Sequence, residues 1–120
     1  LLAAAIATQL KPVVIDKLDP LAVHADDLFI KRENNLIILD VRSEEKFLKG
    51  SYQEAFHFDL STWEKSFARL MEQYTGEEII YTYCDTGCGA SKELVLRLRE
   101  AGLEEVFFIH KGYGALHSND

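Results

Sequence analysis

Leu36–Arg42 reads LIILDVR, an apolar run rich in β-branched residues that does not alternate with polar ones. A strand of this kind has no face to turn toward water. It belongs in a sheet covered on both sides, which parallel strands joined by crossover helices provide. Two similar runs follow, EEIIYTYC (77–84) and VFFIH (106–110), and amphipathic helical patterns separate the three. The alternation predicts an α/β domain with a mostly parallel central sheet, helices on both faces, and LIILDVR as the central strand. In such sheets ligands meet the chain where strand carboxyl ends lead into helix amino ends.

The remaining elements follow from local signals. VVID (13–16) reads as a short strand, and Asp19-Pro20 as a helix N-cap with proline at the first helical position, opening a helix to about Arg32 that Asn34-Asn35 breaks. Ser43 caps the short helix EEKFLK, and Gly50 supplies a left-handed end. After a loop, Ser61-Thr-Trp-Glu64 has the form of a capping box opening a helix through Tyr74, closed by Gly76. ASKELVLRLREAG carries Ala90, Leu94, Val95, Leu98 and Ala101 on one face, with Gly102 as its stop.

A chain of 120 residues fits one domain, assigned here to residues 13–120. Residues 1–12 open with LLAAAIATQL, an apolar stretch that suits either the last turns of an upstream membrane helix or signal, or a short helix packed on the domain. The first reading points to a membrane-associated or periplasmic site with a membrane-protein partner; a cytoplasmic site is the alternative. A formal net charge of -7 and a pI near 5.0 argue against nucleic acid as a partner.

Both cysteines of the chain fall in one turn, CDTGCG (84–89), between the second strand and the helix from Ala90. Gly87 and Gly89 let the backbone curl so that successive amides point inward and form an anion-binding nest at a helix amino end. A thiolate at its floor has its pKa lowered and is nucleophilic near neutral pH. The competing reading makes Cys84 a small buried hydrophobe that ends a strand.

The sequence around the turn resembles a family. LIILDVRSEEKFLKG is similar to the rhodanese signature, in which an apolar strand ends in Asp-x-Arg and a short helix ends in glycine, here Asp40, Arg42 and Gly50. IIYTYCDTGCGASKELVLRLREAGLEEVFFIHKG continues it with strand, cysteine-headed six-residue loop, helix, glycine and final strand, so that the resemblance spans roughly residues 13–116. It implies a rhodanese-like three-layer fold and a sulfurtransferase that needs no cofactor and no metal. Cys84 is the nucleophile in that reading. Asp85, Thr86, Gly87, Cys88, Gly89, Ala90 and Ser91 form its substrate- and anion-binding loop, and Asp40 and Arg42 support it. The partners implied are a small-molecule or protein persulfide donor and a thiol acceptor. Related phosphatases and arsenate reductases close a longer loop with arginine; Gly89 stands there in this chain, which argues against their chemistry.

Several positions depart from the family pattern. No Lys or Arg lies between Cys84 and Ser91, so weak thiosulfate activity is expected. Gly50-Ser51-Tyr52 replaces Gly-His-Ile, and Lys111-Gly112 with Leu116 replaces Gly-Gly with a later tryptophan; these read as packing positions, with Lys111 near the pocket mouth or simply solvated. Cys88 could resolve a Cys84 persulfide or sulfenic acid as a disulfide, although its side chain is expected to point away from Cys84. Cys84, Cys88, His110 and His117 fit no zinc spacing, and His24 and His57 stand alone. Asp40 is expected to accept strand-end amides, Arg42 to pair with a carboxylate such as Glu45, and Ser91 to cap its helix. Two rival functions remain open at this point: a thiol-disulfide redox domain using Cys84 and Cys88, and a non-catalytic rhodanese-like docking module.

Overall fold

The computed structural model of the chain describes residues 18–30, 35–85 and 89–117. Five parallel strands form one sheet: β1 (Ala22–Val23), β2 (Leu36–Asp40), β3 (Phe56–His57), β4 (Ile79–Tyr83) and β5 (Val106–Ile109), in the spatial order β1-β5-β4-β2-β3. Among the described residues five α-helices accompany them: α1 (Ala25–Ile30), α2 (Glu44–Lys49), α3 (Trp63–Gln73), α4 (Ala90–Glu100) and α5 (Gly112–His117). LIILDVR is an interior strand as its composition requires, but β4 holds the middle position.

The period-two alternation expected of a strand covered on both faces is seen in β2. Ile37, Leu39 and Val41 join Leu70 of α3 and Leu94, Val95 and Leu98 of α4 in one buried cluster. Ile38 points the other way, into a second cluster with Tyr81, Tyr83 and Ile109, covered by Ala25 and Leu28 of α1 and Leu116 of α5. Helices therefore lie on both faces, and the interior strands β2 and β4 are buried beyond their first residue because both sides are apolar. Short α2 buries no residue; it sits at the sheet's carboxyl edge rather than on a face.

Several local expectations are corrected. Asp19-Pro20 opens a turn, in which Asp19 accepts amide bonds from Leu21 and Ala22, rather than a helix; the helix begins at Ala25, after two residues have paired with β5. The strand expected at 13–16 and the apolar segment 1–12 lie outside the described residues. Ser43 caps α2 as expected, its Oγ accepting from the Lys46 amide, but Gly50 is extended (φ 167°), not left-handed. The capping box at Ser61–Glu64 is not used. Asp59 instead accepts from the Ser61 amide and hydroxyl and starts a short 3-10 turn, Leu60–Thr62, ahead of α3. Gly102 is left-handed (φ 106°) just past α4, as the sequence requires. β3 and α5 emerge from stretches that carry no strand or helix signal of their own. Among the described residues no helix is long and apolar enough to cross a membrane.

Candidate active site

Because all five strands are parallel, their carboxyl ends share one edge, and the residues singled out from the sequence gather there. Asp40 ends β2 and is fully buried. Its carboxylate is satisfied from three directions: the Arg42 amide (2.9 Å), the Arg42 guanidinium through Nε (3.1 Å) and a terminal nitrogen (2.7 Å), and the Tyr83 hydroxyl (2.6 Å). A buried carboxylate needs this degree of pairing, since an ion stripped of water and left alone costs several kcal/mol, on the order of the whole fold's stability.

Arg42 thus pairs with Asp40, not with Glu45, which faces Lys49 on the exposed side of α2. A nearer carboxylate two residues back leaves the guanidinium no reason to reach outward. Arg42 also donates to the Gly50 carbonyl at 2.6 Å and lies 3.9 Å above the Tyr113 ring centroid. Burial is the largest single influence and works against its charge, but the hydrogen bond and charge of Asp40, together with Tyr83, outweigh it and raise its pKa. For Tyr83, burial comes first and the bond to Asp40 second, and both push the phenol up. Its oxygen accepts in turn from the Tyr52 amide (2.9 Å). One polar network thereby joins the ends of β2 and β4, the end of α2 and the start of α5.

Cys84 follows β4 directly and is 4 % exposed. Its carbonyl accepts from the Tyr113 amide at 2.7 Å, which presses the start of α5 against the loop. Gly112 is left-handed here (φ 56°), and a side chain on it would collide with the Cys84 carbonyl. The cysteine is disulfide-bonded, in contrast to the free thiol from which the sequence argument starts. The chain has one other cysteine, Cys88. Thr86, Gly87 and Cys88 lie outside the described residues.

The helix end of the loop is described. Gly89 is the N-cap of α4, without a side-chain cap bond, and Ala90 is the first helical residue. Ser91 does not cap. It is buried in the first turn, where its carbonyl accepts from the Thr82 hydroxyl at 2.9 Å and ties α4 to β4. Asp85, at the cysteine end, is partly exposed and bonded to Lys46 of α2, Nζ to Oδ2 at 2.5 Å.

Three participants escaped the sequence reading, Lys46, Tyr83 and Tyr113, and Gly112 was read only as a packing position. Lys46 in a short helix and Tyr83 in an apolar strand carry no local signal of these roles. The usable signal was topological, because the short helix after Asp-x-Arg must lie at the carboxyl edge beside the loop.

Of the two histidines that stand alone in the sequence, His57 is partly buried and His24 is exposed. His57 Nε2 is 2.7 Å from the Arg42 carbonyl, and its ring stacks on Phe47. His24 and His110 meet edge to face at a centroid distance of 5.5 Å and line a cavity of about 200 Å³ with Asp26 and Lys111. Lys111 therefore borders an opening at the carboxyl edge, next to Gly112. Among the described residues no group of three or more His, Cys, Asp or Glu side chains could hold a metal ion.

Comparison with known proteins matches residues 25–119 to the rhodanese-like domain model. Among solved structures the fold is similar to a rhodanese-like domain protein from Staphylococcus aureus, with 23% identity, a TM-score of 0.64, and coverage of 79% of this chain and 89% of that one. It is also similar to the rhodanese-like domain of an Anabaena protein, with 22% identity, a TM-score of 0.69 and coverage of 84% and 76%. A Rhodopseudomonas palustris protein described as a possible tyrosine phosphatase has 20% identity, a TM-score of 0.66 and coverage of 85% and 81%. At these identities the likeness concerns the fold.

Proposed function

The chain belongs to the rhodanese-like domain family, and from that premise we propose that it is a sulfurtransferase or persulfide carrier in which Cys84 holds the transferred sulfur. The observation that carries the reading is the place of Cys84: buried, at the carboxyl end of the middle strand, in the turn that leads to the amino end of the eleven-residue helix α4. A sulfur anion there faces the positive end of the helix macrodipole, which favours both the attacking thiolate and the persulfide it becomes.

The disulfide must first be opened, two equivalents of a thiol reducing it and leaving as their own disulfide. The Cys84 thiolate then attacks the outer sulfur of a persulfide donor. The donor's S–S bond breaks, its inner sulfur departs as a thiolate with the electron pair, and Cys84 becomes a persulfide. An acceptor thiolate attacks the terminal sulfur, forms its own persulfide and releases the Cys84 thiolate. Asp40, Arg42 and Tyr83 fix the strand ends and α2 around the reacting sulfur.

The disulfide at Cys84 favours one second reading, a thiol-disulfide redox domain. A single experiment separates the two. Reduced wild type and Cys84→Ser are incubated with a persulfide donor, then with cyanide, and thiocyanate release and intact mass are measured. Thiocyanate released only by wild type, with one added sulfur on Cys84 before cyanide, supports transfer. Equal release by the two proteins removes the sulfurtransferase reading, and loss of two hydrogens without added sulfur favours the redox one.

A further inference from the structure

We propose that the cavity at the carboxyl ends of β1 and β5 binds a small zwitterion of the amino-acid type, with its ammonium toward Asp26 and its carboxylate toward Lys111. The inference goes beyond the sulfur-transfer reading and does not depend on it. The cavity has a volume of about 200 Å³ and is lined by His24, Ala25, Asp26, His110, Lys111 and Ala115. Among the described residues none of the cysteine loop lines it.

The fold brings these side chains together at two neighbouring strand ends. β1 and β5 pair in parallel, with Val23 beside Ile109, so His24 and His110 leave the sheet side by side. The His110 amide donates to the Val23 carbonyl at 2.8 Å, which fixes the two backbones, and the rings meet edge to face. α1 starts directly after His24 and carries Asp26 in its first turn, while α5 brings Ala115.

Two observations point to a ligand. The first is that the cavity is lined by opposite charges that do not meet: among the described residues neither Asp26 nor Lys111 has an ion-pair partner. A pure anion would face the Asp26 carboxylate, and a pure cation the Lys111 ammonium. A zwitterion satisfies both. A neutral imidazole has one donor and one acceptor nitrogen, so His24 and His110 can serve either end of it. A metal ion is not suited, since no three ligating side chains come together among the described residues.

The second observation is the backbone of Lys111. Its φ is 64°, in the left-handed region that glycine enters freely and lysine only under strain. The chain has little freedom to relax there, because Gly112 packs directly against the Cys84 carbonyl and the Tyr113 amide donates to it. Glycine at position 111 would suit the backbone better. What lysine contributes is its side chain, and that side chain borders the cavity.

The test uses the full chain with its disulfide intact. The imidazole NMR signals of His24 and His110 are followed at fixed pH, with His57 as internal reference, during titration with L-alanine, β-alanine and γ-aminobutyrate, zwitterions of increasing charge separation. Ethylamine and propionate carry the two charges of alanine on separate molecules. The expected result is a saturable shift of both histidines with at least one zwitterion, in the millimolar range because Asp26 and Lys111 are open to water. Ethylamine and propionate at the same concentration should shift them far less. Lys111→Gly should raise the urea midpoint, by relieving the strain, and yet weaken zwitterion binding about threefold, the size expected of one exposed charge. Asp26→Asn should weaken it by a similar factor, and Lys111→Arg should bind near wild type. A Lys111→Gly protein that is more stable than wild type and binds as tightly overturns the assignment, since its fold is intact and only the ammonium is gone. No saturable shift with any of the three zwitterions, or an equal shift with a single-charge molecule, overturns the proposal as well.

Discussion

A Cβ placed on Gly112 would stand 2.2 Å from the Cys84 carbonyl oxygen and 3.0 Å from that of Asp85. Both obstacles are backbone, so no side chain can swing aside, and the positive φ adds strain of its own. Gly112→Ala is expected to destabilise the domain by about 3 kcal/mol or to displace the loop, the two routes by which a clash of this kind is relieved. Gly102 gives the matched control. It also has positive φ, but nothing lies within 4 Å of its added Cβ, so Gly102→Ala should cost only about 1 kcal/mol. Urea midpoints of the two variants against wild type test this, and equal losses would contradict the packing argument. Lys111-Gly112 read from the sequence as a packing position, and that much was legible. Which atoms Gly112 packs against was not, because the contact joins residues far apart along the chain. Cys84 was legible as the residue of interest from its turn alone, but its bonded state was not.

At the level of elements, α2 depends on something outside itself. It has six residues and buries none, too little for a helix to persist in water by propensity. Ser43 and the clamp from Arg42 to Gly50 hold it. Arg42→Met removes the clamp and leaves Asp40 as a buried charge without its main partner, a change worth about 3–5 kcal/mol. Arg42→Lys keeps a charge but loses the fork that reaches Asp40 and Gly50 together, and should fall between. Amide hydrogen exchange should rise in α2 and the start of the loop in both variants before it rises in α4. Unchanged α2 protection would show that the clamp is dispensable. The Ser43 cap, the Gly102 stop and the three longer strands were readable because each rests on neighbours in sequence. β1 and β3, at two residues each, are too short to show a period and exist only because β5 and β2 offer an edge to pair with. The unused capping box at Ser61 shows the converse, since Asp59 accepts from the Ser61 amide and hydroxyl that the box would use.

The pH window of the whole molecule follows from where its ionisable groups lie. Hydrogen bonds lower Asp19, from Lys92 first, Asp59, from the Ser61 hydroxyl first, and Glu78, from the Thr75 amide first. Their contributions are present above the ordinary carboxylate range and fade as pH falls through the lowered values. These groups are partly exposed, so the acid edge should be gradual. The alkaline edge should be sharper, because Tyr81 and Tyr83 are buried and raised, both chiefly by burial. Above the ordinary tyrosine value of 10.0 the unfolded chain releases the Tyr83 proton and the folded one keeps it. Stability then falls by about 1.4 kcal/mol per pH unit from this group. Tyr83→Phe should be about 1–2 kcal/mol less stable than wild type at pH 7, having lost its bonds with Asp40 and Tyr52. The gap should narrow as pH rises from 10 to 12, followed by urea unfolding. A constant gap would mean that Tyr83 ionises as it does in the unfolded chain.

The sequence by itself determined the class of fold, the order of its long elements and the turn in which its chemistry is sought. Apolar periodicity, glycine and proline act through near neighbours, and strands with no polar face admit few architectures. Only the tertiary structure decided that Arg42 turns inward to Asp40, that Tyr83 completes that network, that Gly112 leaves room for the Cys84 carbonyl, and that Lys46 meets Asp85. Each of these is a meeting of strand and helix ends set by sheet order, and charge pairing and steric fit at such a meeting depend on distances that no local pattern encodes.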